Sequence, residues 1–363
     1  MCYYRAVKTF VKKTKKNKQT IFVGISGGVD SSVAAYLLKK DGHDVHGIFV
    51  KTWSPEWLPC TWVSEKRDAM RVCAALDIPF HFLDAEELYK REVAQYMIDE
   101  YKVGRTPNPD VLCNRVIKFG AMWDYAKTYG ADAIATGHYA QTDGVLLSKA
   151  ADPAKDQSYF LWMLKQEELS HVSFPIGHLQ KKDVRAIASS ANLFTATKKD
   201  SQGICFLGDV DMKDFLKHYI VQAPGIVVHE KGDTVGTHDG VLFYTLGERH
   251  GFSITEKGSD RRPYFVIRKD LEKNILVVSH DKYNIVLTPS QTVKLREVNW
   301  LQNGTSGGKY SAQIRYHGEF LPINIVDGNT VEIETNEMLP LGQSLVMYDE
   351  NVLLGGGIID KLI

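Results

Sequence analysis

The chain has 363 residues, of which 44% are hydrophobic, and this composition predicts two or three domains with buried cores. Its 44 basic and 44 acidic side chains cancel, so a surface that binds nucleic acid must come from local clustering rather than from net charge. No apolar run is long enough to span a bilayer, and we expect no membrane association. Five cysteines without a C-x-x-C pair are typical of a reducing compartment, which favours the cytoplasm.

The first 20 residues form a basic N-terminal extension with six lysines and one arginine. The segment lacks the apolar core of a secretory signal. A mitochondrial presequence is an alternative, although such segments favour Arg and Ser over Lys. A solvated extension is the simpler interpretation.

Short apolar strands alternate with helical segments in the next part of the chain. The predicted strands are residues 21–25, 45–50, 80–83 and 133–136, and the predicted helices are residues 31–40, 65–76, 85–101 and 116–129. This alternation predicts a doubly wound parallel sheet with helices on both faces. We assign residues 21–222 to this α/β domain, which we expect to be catalytic.

The pattern changes at the sequence APG, residues 223–225, where short β-like runs separated by Gly and Asp begin. Closely spaced short strands are typical of small barrels or sandwiches. We therefore predict a small β-rich central domain over residues 223–282. A C-terminal β-barrel domain follows over residues 283–363.

The first predicted strand leads directly into SGGVDSS, residues 26–32, and then into a helix. The start of a helix offers unpaired backbone N–H groups, and glycines let a phosphate approach them closely. Asp30 is placed to hold Mg²⁺ against phosphate oxygens, directly or through water. The chain contains no GxxxxGK[ST] sequence, so this is not a Walker loop. An ordinary turn capped by Ser31 or Ser32 is the less specific alternative.

Two cysteines, Cys113 and Cys205, lie in polar segments that contain Pro or Gly. We expect loops at helix starts there, with the partial exposure that a reactive thiol needs. Asp110 precedes Cys113 by three residues and is a candidate for proton transfer. Cys73 lies in an amphipathic helix and is predicted to be a core residue. No cysteine has a partner at ligand spacing, so no metal cluster is predicted.

Taken in order, these segments resemble the tRNA-specific 2-thiouridylase family, in the N-type ATP pyrophosphatase superfamily, along nearly the whole chain. The matching segments are GISGGVDSS (24–32), GIFVKTW (47–53), TPNPDVLC (106–113), ATGHYA (135–140), AKDQSYFL (154–161) and SQGICFLGD (201–209). Val50 stands where many members of the family have Met, and the basic extension lies outside the family pattern. Neither departure affects a residue with a chemical role.

The resemblance implies that the enzyme adenylates the C2 oxygen of the wobble uridine in tRNA with ATP and Mg²⁺. Sulfur transfer from a cysteine persulfide then gives 2-thiouridine, AMP and pyrophosphate. The implied partners are the anticodon loop of tRNA and a persulfide donor protein in a cysteine desulfurase relay. In this scheme Cys205 carries the persulfide, Cys113 is its nucleophilic partner and Asp110 is an acid–base residue.

The resemblance also implies binding residues for each substrate. ATP would contact Gly24, Ile25, Ser26, Gly27, Gly28, Val29, Asp30, Ser31, Val50 and Gly137. The target base would lie against Asn108, Pro109 and Asp110. Other parts of the tRNA would contact Lys155, Asp156, Gln157, Arg315 and Tyr316.

Two other functions are compatible with parts of this pattern. A ligase of the same superfamily, such as argininosuccinate, asparagine or GMP synthetase, would adenylate its substrate without needing two loop cysteines. A non-catalytic tRNA-binding protein could retain the fold, although the intact sequence of residues 26–32 argues against loss of activity.

Overall fold

The structure is a computed structural model that describes residues 18–58, 61–199, 210–221, 223–255, 262–281, 290–302 and 308–363. Cys205 and most of the basic extension therefore lie outside the described residues. No helix of the described part is long and apolar enough to cross a membrane.

Parallel strands form the centre of the first domain. The strands up to residue 199 are β1 (Thr20–Gly24), β2 (Asp44–Lys51), β3 (Phe80–Asp84), β4 (Ala133–Ala135), β5 (Gln141–Thr142), β6 (Leu147–Ser148) and β7 (Val172–Ser173). Five of them form a parallel sheet in the order β3-β2-β1-β4-β7. The strand order reverses between β1 and β4, because β2 and β3 lie on one side of β1 and β4 lies on the other. In open α/β sheets, ligands bind at the carboxyl ends of the strands at such a reversal.

Helices cover both faces of this sheet. They are α1 (Val29–Lys40), α2 (Trp62–Ala75), α3 (Glu86–Tyr89, a π-helical segment Lys90–Ala94, and Gln95–Lys102), α4 (Pro109–Leu112, a π-helical segment Cys113–Ala121, and Met122–Lys127), α5 (Lys181–Ser190) and α6 (Met212–Leu216). Successive residues of β1 point to opposite faces. Ile21 and Val23 pack in the core with α1, α2 and α5, whereas Phe22 packs with α4. The predicted doubly wound α/β fold is confirmed.

Helix α4 begins at Pro109, whereas the sequence had indicated a start near residue 116. Proline at the first position of a helix loses no hydrogen bond and already has a helical φ, so it extends the helix towards the N-terminus. As a result Cys113 lies inside a helix, and only 1% of its surface is exposed. The expectation of a partly exposed loop at Cys113 was wrong.

Other polar or reactive groups of the first domain are also buried. Cys73 is buried, as predicted, and burial raises the pKa of its thiol to about 11. Its sulfur packs against Gly47, where an added Cβ would lie 2.3 Å from Sγ. His43 is also buried, and His46 stacks on Phe22 of the neighbouring strand.

The central region forms a second sheet. Its strands are β8 (Gly225–His229), β9 (Thr234–His238), β10 (Ser253–Ile254), β11 (Phe265–Asp270) and β12 (Ile275–Ser279), in the order β10-β9-β8-β12-β11. Val227, Val266 and Leu276 from this sheet share one core with Tyr89 and Met97 of α3. The central sheet is thus packed directly onto the first domain.

Six strands of the described C-terminal residues close into a barrel. They are β13 (Ser290–Trp300), β14 (Tyr310–Gln313), β15 (Leu321–Ile325), β16 (Thr330–Glu334), β17 (Ser344–Asp349) and β18 (Val352–Leu362). Pairing of β13 with β18 closes the barrel. The hairpin β5–β6 extends the same sheet, because β6 pairs with β18 at Ser148 and Val352. The predicted β-rich central and β-barrel C-terminal domains are confirmed.

Candidate active site

The loop between β1 and α1 has the geometry of an anion-binding turn. Gly27 has φ +74°, and a Cβ there would lie 2.8 Å from the Cβ of Asp68, so a side chain is excluded on both counts. Gly28 caps α1, and its carbonyl accepts a hydrogen bond from Ser32 Oγ at 2.6 Å. The hydroxyls of Ser26 and Ser31 lie 3.2 Å apart. Backbone N–H groups and hydroxyls thus converge at the start of α1, as in phosphate sites.

Gly137, just after β4, lies directly against this loop. A Cβ at Gly137 would come within 2.6 Å of the Ser31 nitrogen and 2.8 Å of the Asp30 carbonyl carbon. Only glycine permits this approach of the two backbones. The structure therefore brings Gly137 to the residues with which it was predicted to bind ATP.

The carboxylate of Asp30 contacts two groups that come from later parts of the chain. Lys181 Nζ, at the start of α5, lies 2.7 Å and 2.8 Å from its two oxygens. The Tyr139 hydroxyl donates a hydrogen bond to Oδ1 at 2.8 Å. Lys181 was not predicted at this loop, because the pair Lys181-Lys182 has the sequence of an ordinary surface pair.

A second lysine supports the other side of the loop. Lys198 Nζ donates to the Gly27 carbonyl at 3.1 Å and to Asp68 Oδ2 at 2.6 Å. The hydrogen bond from Lys198 is the main cause that lowers the pKa of Asp68. Each lysine is paired with a carboxylate, so two ion pairs flank a loop that has the shape for phosphate. The tertiary contacts that bring them there had no signal in the sequence.

Cys113 lies at the carboxyl edge of the same sheet. It shares a core with Trp53, which follows β2, and with Phe215 of α6. Val50, near the end of β2, and Val210 pack against this core. Val210 directly follows residues 200–209, which contain Cys205 and lie outside the described part of the chain. The predicted ATP contact Val50 and the predicted nucleophile thus belong to one cluster.

The segment predicted to hold the target base forms the start of α4. Pro109 is buried, Asn108 occupies the capping position, and Asp110 lies in the first turn. The pKa of Tyr159 is raised by burial, while a hydrogen bond with Asn108 opposes this rise. The Tyr159 hydroxyl also donates to the Ser344 carbonyl of the barrel at 2.9 Å. Asn108 is therefore linked through Tyr159 to the C-terminal domain.

Residues 155–157 were predicted to contact tRNA, and two of their side chains bind the protein itself. Asp156 accepts hydrogen bonds from Ala150 N at 2.8 Å and Ser158 Oγ at 2.9 Å. Gln157 Oε1 accepts one from Tyr139 N at 3.0 Å. These bonds fix the backbone at Lys155, whose side chain is partly exposed. Contact with tRNA at these residues stays a prediction.

The barrel places Tyr316 beside the first domain. Its ring centroid lies 4.5 Å from that of Phe160, and the Phe160 carbonyl accepts a hydrogen bond from Asn114 Nδ2 at 3.1 Å. Arg315 Nη2 lies 3.9 Å from Glu337 Oε2. Phe160 thus links Tyr316, about 200 residues distant in sequence, to Asn114, the residue that follows Cys113.

The fold and the loop of residues 26–32 together define the class of protein: a parallel α/β domain with a loop shaped for phosphate, followed by two β domains. Three family models match it in that order. They are described as tRNA methyl transferase HUP domain over residues 19–209, tRNA methyl transferase PRC-barrel domain over residues 213–280, and aminomethyltransferase beta-barrel domain over residues 290–359.

Curated relatives give the particular family. The tRNA-specific 2-thiouridylase MnmA of Halalkalibacterium halodurans is 45% identical over 97% of each chain. That of Bacillus subtilis is 44% identical over 94% of this chain and 95% of its own. The chain belongs to the tRNA-specific 2-thiouridylase MnmA family, and it is an enzyme of the tRNA sulfurtransferase class. The resemblance inferred from the motifs is confirmed, and the ligase and non-catalytic alternatives are excluded.

Solved structures are more distant. A 4-thiouridine synthetase–RNA complex with bound ATP is 21% identical over 52% of this chain and 44% of its own, with a TM-score of 0.36. The family assignment therefore rests on the curated relatives. Within the described residues, no group of three or more His, Cys, Asp or Glu side chains could hold a metal ion.

Proposed function

We propose that this enzyme adenylates the C2 oxygen of the wobble uridine in tRNA and replaces it with sulfur delivered by Cys205. The observation that carries the proposal is the common position of thiol and phosphate loop at the carboxyl edge of the sheet. Cys113 and Val50 lie in one cluster there, and β1 runs into residues 26–32 at the same edge. The relatives' name, tRNA-specific 2-thiouridylase, supports the choice of substrate.

Residues 26–31 and Gly137 would bind the phosphates of ATP, and Val50 would pack on adenine. Mg²⁺ fits this site, because Asp30 and the serine hydroxyls are the oxygen donors that it prefers. A magnesium ion there would offset the charge of the phosphates. Lys181 already contacts both oxygens of Asp30, so we propose that Asp30 holds the ion through water. Lys181 would then add positive charge opposite the departing pyrophosphate.

Adenylation solves the problem of the leaving group. The C2 oxygen attacks the α-phosphorus of ATP, pyrophosphate leaves, and the oxygen becomes part of AMP, which departs readily. The terminal sulfur of a Cys205 persulfide then attacks C2 as AMP leaves. The Cys113 thiolate attacks Sγ of Cys205, so the S–S bond breaks, the sulfur stays on the base, and a Cys113–Cys205 disulfide forms. A cellular thiol supplies the two electrons that reduce this disulfide.

The Cys113 thiol has to lose its proton for its sulfur to attack Cys205, because the thiolate is the nucleophile. Asp110 lies three residues earlier in the same helix start and is the proposed acid–base group. The target uridine has to leave its stack to reach these groups, which costs little in a single-stranded anticodon loop. Asn108, Pro109 and Asp110 would hold the base, and Lys155, Asp156, Gln157, Arg315 and Tyr316 would line the path of the tRNA.

The persulfide would be supplied by a donor protein of a cysteine desulfurase relay, since a persulfide is passed by thiol exchange rather than by free diffusion. We place the reaction in the cytoplasm, where reductants regenerate the two thiols.

The test supplies purified enzyme with ATP, unmodified tRNA, a persulfide donor and a thiol, and identifies the product nucleoside by mass spectrometry. We expect 2-thiouridine, with AMP and pyrophosphate formed in equal amounts. A methylated nucleoside instead, as the family-model descriptions would suggest, would contradict the proposal. So would thiolation that proceeds without ATP.

A further inference from the structure

Three residues between α3 and α4 are in contact with both the central domain and the C-terminal barrel. We call Gly104, Arg105 and Thr106 the junction. They follow α3, which ends at Lys102, and precede α4, which begins at Pro109. The junction therefore leads directly into Asn108, Asp110 and Cys113.

The central domain holds the junction from one side. Lys269 Nζ, on β11, donates to the Gly104 carbonyl at 2.7 Å and to the Tyr244 carbonyl at 2.8 Å. Gly104 has φ +75°, and a Cβ there would lie 2.6 Å from Leu271 Cδ1. The hydroxyls of Thr106 and Thr245 lie 3.2 Å apart. Polar and apolar contacts of the central domain thus fix both ends of the junction.

The barrel holds the same residues from another side. Thr106 N donates to the Leu341 carbonyl at 2.8 Å, and Arg105 Nη2 donates to Asp360 Oδ1 at 3.0 Å. Gly342 has φ +91°, and a Cβ there would lie 3.0 Å from the Thr106 nitrogen. Backbone of the barrel is therefore in direct contact with backbone of the junction.

Lys269 is an unusual residue for a purely structural bond. Its burial lowers the pKa of its amine to about 8, and Glu248 partly opposes this effect. A buried ammonium costs stability, and an apolar side chain of similar length would fill the space without that cost. Lys269 gains in exchange two charge-assisted hydrogen bonds, one of them to the junction.

We propose that the junction positions the helix start that carries Asn108, Asp110 and Cys113, and that Lys269 is the positioning residue by which the central domain acts. The inference rests on the proposed sulfur transfer. Thr106 lies three residues before α4, so a displacement at the junction moves the start of a rigid helix and with it the thiol. Misplacing a reacting group by about 1 Å can reduce a rate by about a hundredfold.

The test is Lys269→Met, which keeps the length of the side chain and removes its donors. With saturating ATP, tRNA and persulfide donor, we expect kcat for 2-thiouridine to fall about 10- to 100-fold. The KM for tRNA and the Kd for ATP should stay within about twofold, because the change affects positioning rather than binding.

The matched control is Lys213→Met. Lys213 also has its pKa lowered by burial, and its amine donates to the Gly251 carbonyl at 3.0 Å and lies 3.8 Å from the ring centroid of Tyr244. We expect Lys213→Met to change the melting temperature as much as Lys269→Met does while keeping wild-type kcat.

An unchanged kcat in Lys269→Met would overturn the inference, and so would a fall of kcat equal to that of Lys213→Met. If Lys269→Met does not fold, Thr245→Val replaces it, since valine keeps the shape of threonine and removes only the hydroxyl contact to Thr106; a smaller fall of kcat at constant KM is expected. Wild-type enzyme that makes no 2-thiouridine would refute the proposed function itself, which separates the two failures.

Discussion

The loop of residues 26–32 and the start of α4, which carries Cys113, lie at the same edge of one sheet but are built in different ways. The loop is shaped by Gly27, Gly137, Lys181 and Lys198, which all belong to the α/β domain. The helix start, in contrast, follows a junction that contacts the central sheet and the barrel. In the proposed mechanism, ATP activation would be served by a motif within one domain, whereas sulfur transfer would depend on contacts among three domains.

This difference predicts how each half of the reaction responds to change. The loop should be sensitive to small steric changes within the α/β domain. An added Cβ at Gly27 or Gly137 would collide with neighbouring atoms. The helix start should respond to substitutions far away in sequence, because its position is the sum of several long-range contacts. Four experiments test this difference between the two regions.

The largest effect is expected at Cys113. Cys113→Ser should abolish 2-thiouridine formation, since an alcohol cannot exchange with the persulfide. Release of pyrophosphate in the presence of tRNA should continue for at least one turnover, and labelled sulfur should remain on Cys205. The control is Cys73→Ala, which removes another buried thiol and should leave thiolation intact. Labelled tRNA from the Cys113→Ser enzyme would show that the thiol has no role in transfer.

The second effect tests the loop alone. Gly137→Ala places a Cβ within 2.6 Å of the Ser31 nitrogen, and we expect pyrophosphate release to fall about a hundredfold, as for other misplacements of catalytic groups. Persulfide loading of Cys205 by the donor should be unchanged. Gly328→Ala is the matched control, because no atom lies within 4 Å of the added Cβ. Loss of loading in Gly137→Ala would mean that the two regions are coupled.

The two regions also differ in how well they could be predicted from the sequence, because one depends on local residues and the other on long-range contacts. The loop was recognisable because Gly27, Gly28 and Asp30 are neighbours, and local backbone geometry selects their residue types. Lys181 and Lys198 were missed, because only the folded sheet brings them to the loop. At the helix start, the motif around Asn108 was recognised by resemblance, but its burial and early start were not. Cys113 is buried in a core that also contains Trp53 and Phe215, and such long-range packing has no local signature in the sequence.

The third effect concerns the barrel. Changing Arg315 and Tyr316 together to Ala should raise the KM for tRNA about tenfold or more, since one aromatic stack is worth about 1–3 kcal/mol. The Kd for ATP should be unchanged, because the loop belongs to another domain. The control Phe320→Ala removes an exposed aromatic side chain of the same barrel, whose ring packs edge-to-face against Tyr348, whereas Tyr316 packs against Phe160. An unchanged KM in the double variant would remove Tyr316 from the path of the tRNA.

The smallest effect is a pH dependence confined to the junction. The pKa of Lys269 is about 8 in the folded protein, below the ordinary 10.5. Glu248 interacts with this amine and also with Tyr101, whose pKa is raised by burial to about 12. Between pH 8 and 10.5 the unfolded chain therefore binds more protons at Lys269, so the free energy of unfolding rises with pH in that window.

The hydrogen bond from Lys269 to the Gly104 carbonyl, in contrast, weakens as pH rises, because it loses its charge assistance when the amine deprotonates above pH 8. We therefore expect the ratio of wild-type kcat to Lys269→Met kcat to fall towards 1 between pH 7 and pH 9. Over the same range, the free energy of unfolding of the wild type should increase relative to that of the variant. Taking the ratio cancels the titration of the thiols, which both enzymes share. A ratio that stays constant across this range would mean that the charge of Lys269 does not contribute to positioning Cys113, and that the other contacts of the junction, made by Arg105, Thr106, Leu271 and Gly342, hold it in place.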